Sequence, residues 1–147
     1  MMQEEKSQIN GLLKHNVCFR IVADELDPLE ITAMLGITPS KAHRRGDPNT
    51  SITKKGKVIE FSPFSTGVWL VYSDAEEHAD LDYHLKSLLS LLYPLKVKLI
   101  ELSQRGYSMD VFCGVFTHEA PQPGFDISSD SLRRLGELNI SIGMCIY

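Results

Sequence analysis

The chain has 147 residues, 43% hydrophobic and 23% charged, which is the balance of one ordinary globular domain and not of a disordered segment. Its net charge of −4 argues against general nucleic-acid binding. Its apolar runs, Ser87–Leu95 and Gly143–Tyr147, are too short to span a bilayer, so neither nucleic acid nor membrane is an expected partner.

The opening Met1-Met2-Gln3-Glu4-Glu5-Lys6 carries acids where a secretory signal carries positive charge, and no apolar run follows. The expected location is the cytosol. Cys18, Cys113 and Cys145 are odd in number and have no close Cys partners, so buried reduced thiols are expected. Residues 1–16 read as a polar leader and residues 17–147 as a single α+β domain.

Along the chain, Val17–Ala23 alternates, with Val17, Phe19, Ile21 and Ala23 on one face and Cys18, Arg20 and Val22 on the other. That period of two predicts a strand. Asp27 then stands as a helix N-cap, with Pro28 at the first helical position and Glu30 placed for a capping box. Ile31, Met34 and Leu35 form the buried stripe, and Gly36 ends the helix. Ile37–Lys57 has little periodicity and is expected to be a long loop, a kind of segment that is usually functional or mobile. Between Lys41 and Lys57 it holds Lys41, Arg44, Arg45, Lys54, Lys55 and Lys57 against a single acid, Asp47.

Strands follow at Val58–Phe61 and Val68–Ser73, joined through Pro63 and Gly67. A helix is predicted from Asp74, with Glu77 as a second capping box, Leu81, Leu85, Leu88, Leu89 and Leu92 on one face, and Pro94 as its stop. Val97–Leu102 and Met109–Phe116 read as a hairpin turning near Arg105-Gly106, the latter strand apolar on both faces and therefore central. After the Pro/Gly-rich connection Ala120–Phe125, a helix is predicted near Ser129–Leu138 with Leu132, Leu135 and Leu138 inward. Ile140, Ile142, Met144 and Ile146 form a last strand. The order β-α-β-β-α-β-β-α-β implies an α+β fold, a mostly antiparallel sheet of about six strands with helices on one face, ferredoxin-like in style.

No phosphate-binding, nucleophile-elbow or zinc-protease motif is present. Gly56-Lys57 precedes Val58, which lacks the hydroxyl a Walker loop needs for magnesium. Asp74, His78 and Asp82 are spaced for one helix face, yet that face reads as solvated and acidic. His84 flanks the leucine stripe as a packed histidine. No catalytic residue, metal or cofactor is expected.

Two segments stand out as binding surfaces. Arg44-Arg45-Gly46-Asp47 holds paired guanidinium groups suited to a phosphate or carboxylate; the alternative is a solubilising loop with Arg45 paired to Asp47. Asp74, Glu76, Glu77, Asp80 and Asp82 form an acidic run with no Lys or Arg among them, suited to a basic protein partner. Trp69, the one tryptophan, is either a core residue or an exposed platform.

Phe19-Arg20-Ile21, Pro28-Leu29-Glu30-Ile31-Thr32 running into Leu35-Gly36-Ile37-Thr38-Pro39, and Arg45-Gly46-Asp47 follow one another in that order. With Trp69, the His84-Leu85 to Leu92 helix and the closing Ile146-Tyr147, they resemble the bacterial domain-of-unknown-function family numbered 4279 from about Val17 to Tyr147. The resemblance implies a small bacterial cytosolic protein, supplies no reaction, and offers Thr38, Pro39, Arg45, Gly46, Asp47 and Trp69 as site positions.

The expected function is therefore non-enzymatic binding of a protein partner, one form being a toxin-neutralising immunity protein that uses the acidic run. The alternative is a sensor for a small anionic ligand held by Arg44 and Arg45. An enzyme with Asp47 or His84 as base is a third reading, and homodimer formation through the edge of Ile140–Tyr147 is a further expectation.

Overall fold

A computed structural model of the chain describes residues 13–117 and 124–147. The first strand, β1 (Lys14–Ala23), begins three residues earlier than its alternation alone indicates. Val17, Phe19 and Ile21 are buried on its core face, as the period of two requires. The first helix, α1 (Pro28–Leu35), starts where Asp27 accepts a hydrogen bond from the Leu29 N–H at 3.0 Å and ends at Gly36 in the left-handed conformation. Glu30 does not complete a capping box. Its carboxylate takes a hydrogen bond from Arg105 at 2.8 Å instead.

Ile37–Lys57 is not one long loop. It contains β2 (Lys41–His43), which pairs with β5 (Gly67–Tyr72), and β3 (Asn49–Ile52), which pairs with β4 (Val58–Phe61) as a separate two-stranded sheet. These strands are too short and too polar to show a period of their own. Edge pairing and a hairpin, not a buried face, order them.

The helix α2 (Leu81–Leu92) starts seven residues after Asp74. The Asp74-x-x-Glu77 pattern loses to long-range pairing: the His15 N–H donates to the Glu77 carbonyl at 2.7 Å, and Asp74 accepts from the Ser87 hydroxyl. A 3-10 turn (Tyr93–Leu95) carries the chain past Pro94 directly into α3 (Lys96–Gln104). Val97–Leu102 is thus helical, and the hairpin expected there is absent. Both of its apolar positions that reach the core, Leu99 and Leu102, are three apart, whereas Val97 is exposed. The flanks of β6 (Ser108–Phe116) are already filled, by β1 and by the last strand, β7 (Ser141–Ile146). In α4 (Ser129–Glu137), capped by Ser128, Leu135 is buried and Leu138 follows it into the core, but Leu132 lies half exposed.

The large sheet has the order β2-β5-β1-β6-β7. β1 is antiparallel to β5 and β6, β5 is antiparallel to β2, and only β6 and β7 run parallel. Strands β1, β2, β5 and β6 with α1 and α2 reproduce the βαββαβ connectivity of a ferredoxin-like sandwich. The β3–β4 hairpin is inserted between β2 and β5, and α4–β7 adds a fifth strand. The four helices of the described residues pack on one face, where Ile31, Leu35, the α2 leucines, Leu99, Leu102 and Leu135 meet Phe19, Trp69 and Val111. On the opposite face Arg20 forms a two-point ion pair with Asp110 at 2.6 and 2.8 Å and lies over Phe112.

Gly67 marks the tightest approach. A Cβ there would stand 2.7 Å from the Ala23 carbonyl oxygen and 2.9 Å from the Leu26 Cβ. Gly67→Ala is expected to cost about 1–3 kcal/mol, because the clash is with backbone and not with a movable side-chain tip. Urea unfolding checks this, and a variant as stable as the wild type would refute the close approach.

Candidate functional site

The Arg44–Asp47 block forms a turn. The Asp47 N–H donates to the Arg44 carbonyl at 3.2 Å, while the Asp47 carboxylate accepts from the Arg44 N–H at 2.8 Å. Gly46, at φ 88°, occupies the left-handed position that a side chain would resist. Backbone hydrogen bonds to Phe64 tie the turn to the returning chain, and His43 stacks on the Phe64 ring at 3.4 Å.

Both guanidinium groups already face carboxylates. Arg44 donates to Asp27 at 2.8 Å, and Arg45 lies 3.2 Å from Glu25 and 3.5 Å from Asp24. In place of the alternative Arg45–Asp47 pair, the two arginines form a clamp on the β1–α1 connection. An anion at either arginine has to displace these acids. Thr38 is exposed on the approach to β2. Trp69 is fully buried, donates its indole N–H to the Thr32 hydroxyl at 3.1 Å and packs edge-on to Phe19. It is a core residue and offers no surface platform.

The acidic run does not share one helix face, since only Asp82 lies within α2. Glu76 accepts the His78 backbone N–H at 3.0 Å, and Glu77 pairs with Lys14 at 3.4 Å. The Asp82 carboxylate accepts both the backbone N–H and the hydroxyl of Ser128, at 3.0 and 3.2 Å, and pairs with Lys86 at 3.3 Å. Burial pushes the Asp82 carboxyl up, but the Ser128 backbone N–H, the Ser131 hydroxyl and Lys86 together hold it below its ordinary range. Glu76, Glu77 and His78 place one ligand atom each within 4.8 Å of one another, on an exposed turn.

Asp80 is different. It stands at the start of α2 without capping it, and with Leu13, His15, Leu81, Asp82, Gly124, Phe125 and Asp126 it lines a cleft of about 220 Å³. Burial raises the Asp80 carboxyl above its ordinary value, Asp126 and Asp82 add to the rise, and His15 opposes it. His15 is only 3% exposed. Its Nδ1–H donates to the Ala79 carbonyl at 2.8 Å, and its Nε2 has no hydrogen-bond partner among the described residues. The His84 ring sits edge-on to it at 5.7 Å. Both imidazoles are held below the ordinary histidine value, chiefly by burial, so both are neutral at pH 7.

The β3–β4 hairpin groups several exposed apolar side chains on one short element. Ile52 is 72% exposed, Val58 57% and Phe61 54%. The register pairs Ile52 with Val58 and Asn49 with Phe61, so apolar side chains stand on both faces. Lys54, Lys55 and Lys57 crowd its tip, all exposed. A lone two-stranded hairpin is marginal in water, and its apolar pairs gain most when another surface covers them.

Sequence reasoning missed both the hairpin and the cleft. Ile52 and Val58 were separated by a break that looked like loop, although Thr53-Lys54-Lys55-Gly56-Lys57 is a turn signal between two short β-prone runs. His15 falls on the core side of the β1 alternation, which is the one local sign of its burial. Its meeting with Asp80 and His84 has no local sign at all.

No helix among the described residues is long and apolar enough to cross a membrane. A family model described as "Domain of unknown function (DUF4279)" matches residues 13–147, so the chain belongs to that family. No curated protein and no solved structure matches it.

Proposed function

We propose that this member of the DUF4279 family is a non-enzymatic, bacterial cytosolic binding protein that holds an acidic protein surface with the β3–β4 hairpin. The exposed apolar side chains on both hairpin faces, Ile52 with Val58 on one and Ile59 with Phe61 on the other, carry the reading. Scattered apolar side chains are ordinary on a surface, but a contiguous apolar arm marks an interaction site. The lysine tip sets the sign of the partner, because three ammonium groups repel a basic surface and steer an acidic one. An immunity-type contact through Asp74–Asp82 is less favoured, since Asp74, Glu76, Glu77 and Asp82 are spent on local hydrogen bonds and ion pairs.

The test is affinity capture from the native cytosol with three baits: wild type, Ile52→Ser with Phe61→Ser, and Lys54→Glu with Lys55→Glu. The wild type should retain a salt-sensitive acidic protein that both variants lose. The variants should keep their unfolding free energy within about 0.5 kcal/mol, as exposed substitutions do. Equal recovery by all three baits would sink the proposal, and so would hairpin-dependent retention of nucleic acid in place of protein.

A further inference from the structure

Because the helices of the described residues pack on one face of the large sheet, its other face is left without a helical cover. Alternation and strand register place Lys14, Arg20, Lys41, Tyr72, Phe112 and Phe116 on that open face. These side chains form three pairs of ring and cation. Lys41 Nζ lies 5.8 Å from the Tyr72 ring centroid, the Arg20 guanidinium 4.7 Å from that of Phe112, and Lys14 Nζ 5.8 Å from that of Phe116. Tyr147 stacks on Phe116 at 4.7 Å and is 61% exposed, while Tyr72 is 37% exposed. The rings therefore keep surface that a flat partner can cover.

The pairs run diagonally across the sheet. Tyr72 and Phe112 flank Cys18 of β1, so their strands lie about 10 Å apart, and Phe116 follows about 13 Å further along β6. Gly114 lies between the two phenylalanines and Gly143 beside Phe112, where a side chain would stand in the way of a stacked ring. Next to Arg20 the face sinks into a cleft of about 220 Å³ lined also by Val22, Ser108 and Ser141. Both serines are exposed, and a hydroxyl both donates and accepts hydrogen bonds.

Charge selects the occupant. Among the strand positions of this face Asp110 is the single acid, and Arg20 neutralises it through the two-point pair at 2.6 and 2.8 Å. Lys14 also reaches Glu77 at 3.4 Å, an exposed pair of little strength that a phosphate can displace. The net charge of −4 opposes binding over the whole surface, but this face by itself is positive. An acidic protein would satisfy the cations and leave the rings, and a second copy of the chain would bring the same positive excess to the contact. Unpaired bases and their phosphates supply both the flat surfaces and the negative charge.

We propose that the open sheet face binds single-stranded nucleic acid. Bases stack on Tyr72, on the Arg20 guanidinium above Phe112, and on Tyr147 beside Phe116, while Lys14 and Lys41 meet phosphates. A duplex, whose bases are already stacked on one another, offers no ring to these platforms.

Fluorescence anisotropy of the full chain with labelled oligouridine, oligothymidine and a DNA duplex tests this. The wild type should bind single strands saturably and the duplex far more weakly, and the tighter of the two single strands names the natural source. Affinity should fall with salt at a log–log slope of about −1.4, the value for two neutralised phosphates on a single strand. Tyr72→Ala and Tyr147→Ala should each weaken binding about fivefold or more, and Lys41→Glu should lower the slope by about 0.7. Ile52→Ser with Phe61→Ser, which alters the hairpin alone, should bind as the wild type does. Absence of saturable binding overturns the proposal, as does equal affinity for the duplex, binding that survives both tyrosine changes, or binding lost with the hairpin variant. A dimer that the tyrosine changes dissolve, with no oligonucleotide bound, would give the face to a second copy and overturn it too. If Tyr147→Ala fails to fold by circular dichroism, Tyr72→Ala and Lys41→Glu decide the matter.

Discussion

Trp69→Ala is expected to remove about 3–5 kcal/mol of stability, the range for truncating a buried aromatic side chain. Trp69 has no exposed surface and sits on β5, between β1 and the edge strand β2. Its loss opens a cavity beside Phe19 and leaves the Thr32 hydroxyl on α1 without its donor. Trp69→Phe keeps most of the packing and loses the hydrogen bond, so a smaller cost of about 1 kcal/mol is expected. With domains of this size stable by about 5–15 kcal/mol, the alanine variant is close to unfolded. Urea titration followed by circular dichroism measures both. As the only tryptophan, Trp69 also reports directly: wild-type emission should be blue-shifted and shielded from acrylamide. Red-shifted, freely quenched emission with a stable Trp69→Ala variant would return Trp69 to the surface.

Raising the pH should destabilise the fold through Cys113. Burial pushes this thiol up to about 12 from 9.0, with Cys18 and Asp110 adding repulsion. The unfolded chain therefore ionises it first. Its stabilising contribution is complete below pH 9 and declines as pH rises from 9 toward 12, at up to about 1.4 kcal/mol per pH unit. Burial shifts Cys18 in the same direction. Lysines and tyrosines titrate in this window too, so the decisive quantity is the difference between wild type and Cys113→Val. Unfolding free energies at pH 8, 9 and 10 should fall less steeply in the variant. Identical slopes, or rapid modification of Cys113 by a thiol reagent at pH 8, would show an accessible thiol. Cys145, which is only partly buried, should be modified before Cys18 and Cys113.

Several elements were readable because their causes lie within a few residues. Phe19 and Ile21 face the core because alternate side chains of a strand do. Asp27, Pro28 and Gly36 bound α1 because cap, ring and left-handed turn act locally. The same logic misled at Asp74, where a cap pattern was real in sequence but its backbone was taken by β1, and at Val97–Leu102, where six residues fit both periods. There the decision rested on the sheet: β7 pairs with β6, and the leucines of α3 were needed over the core.

The binding surfaces divide in the same way. The basic character of Lys41–Lys57 is written in the sequence, but its roles are not. Arg44 and Arg45 pair with acids 17 to 21 residues away, while Lys54, Lys55 and Lys57 stay in solvent. Pairing energies depend on which charges meet, and that is set when α1 returns the chain beside β1. The sequence by itself determined the α+β class, the buried faces of the strands and the α1 boundaries, since each follows from local sterics and periodicity. Tertiary structure alone decided that the basic segment splits into a structural clamp and a projecting arm. It also decided that His15 meets the His84 ring and shares a cleft wall with Asp80, because no local pattern encodes a contact between chain-distant side chains.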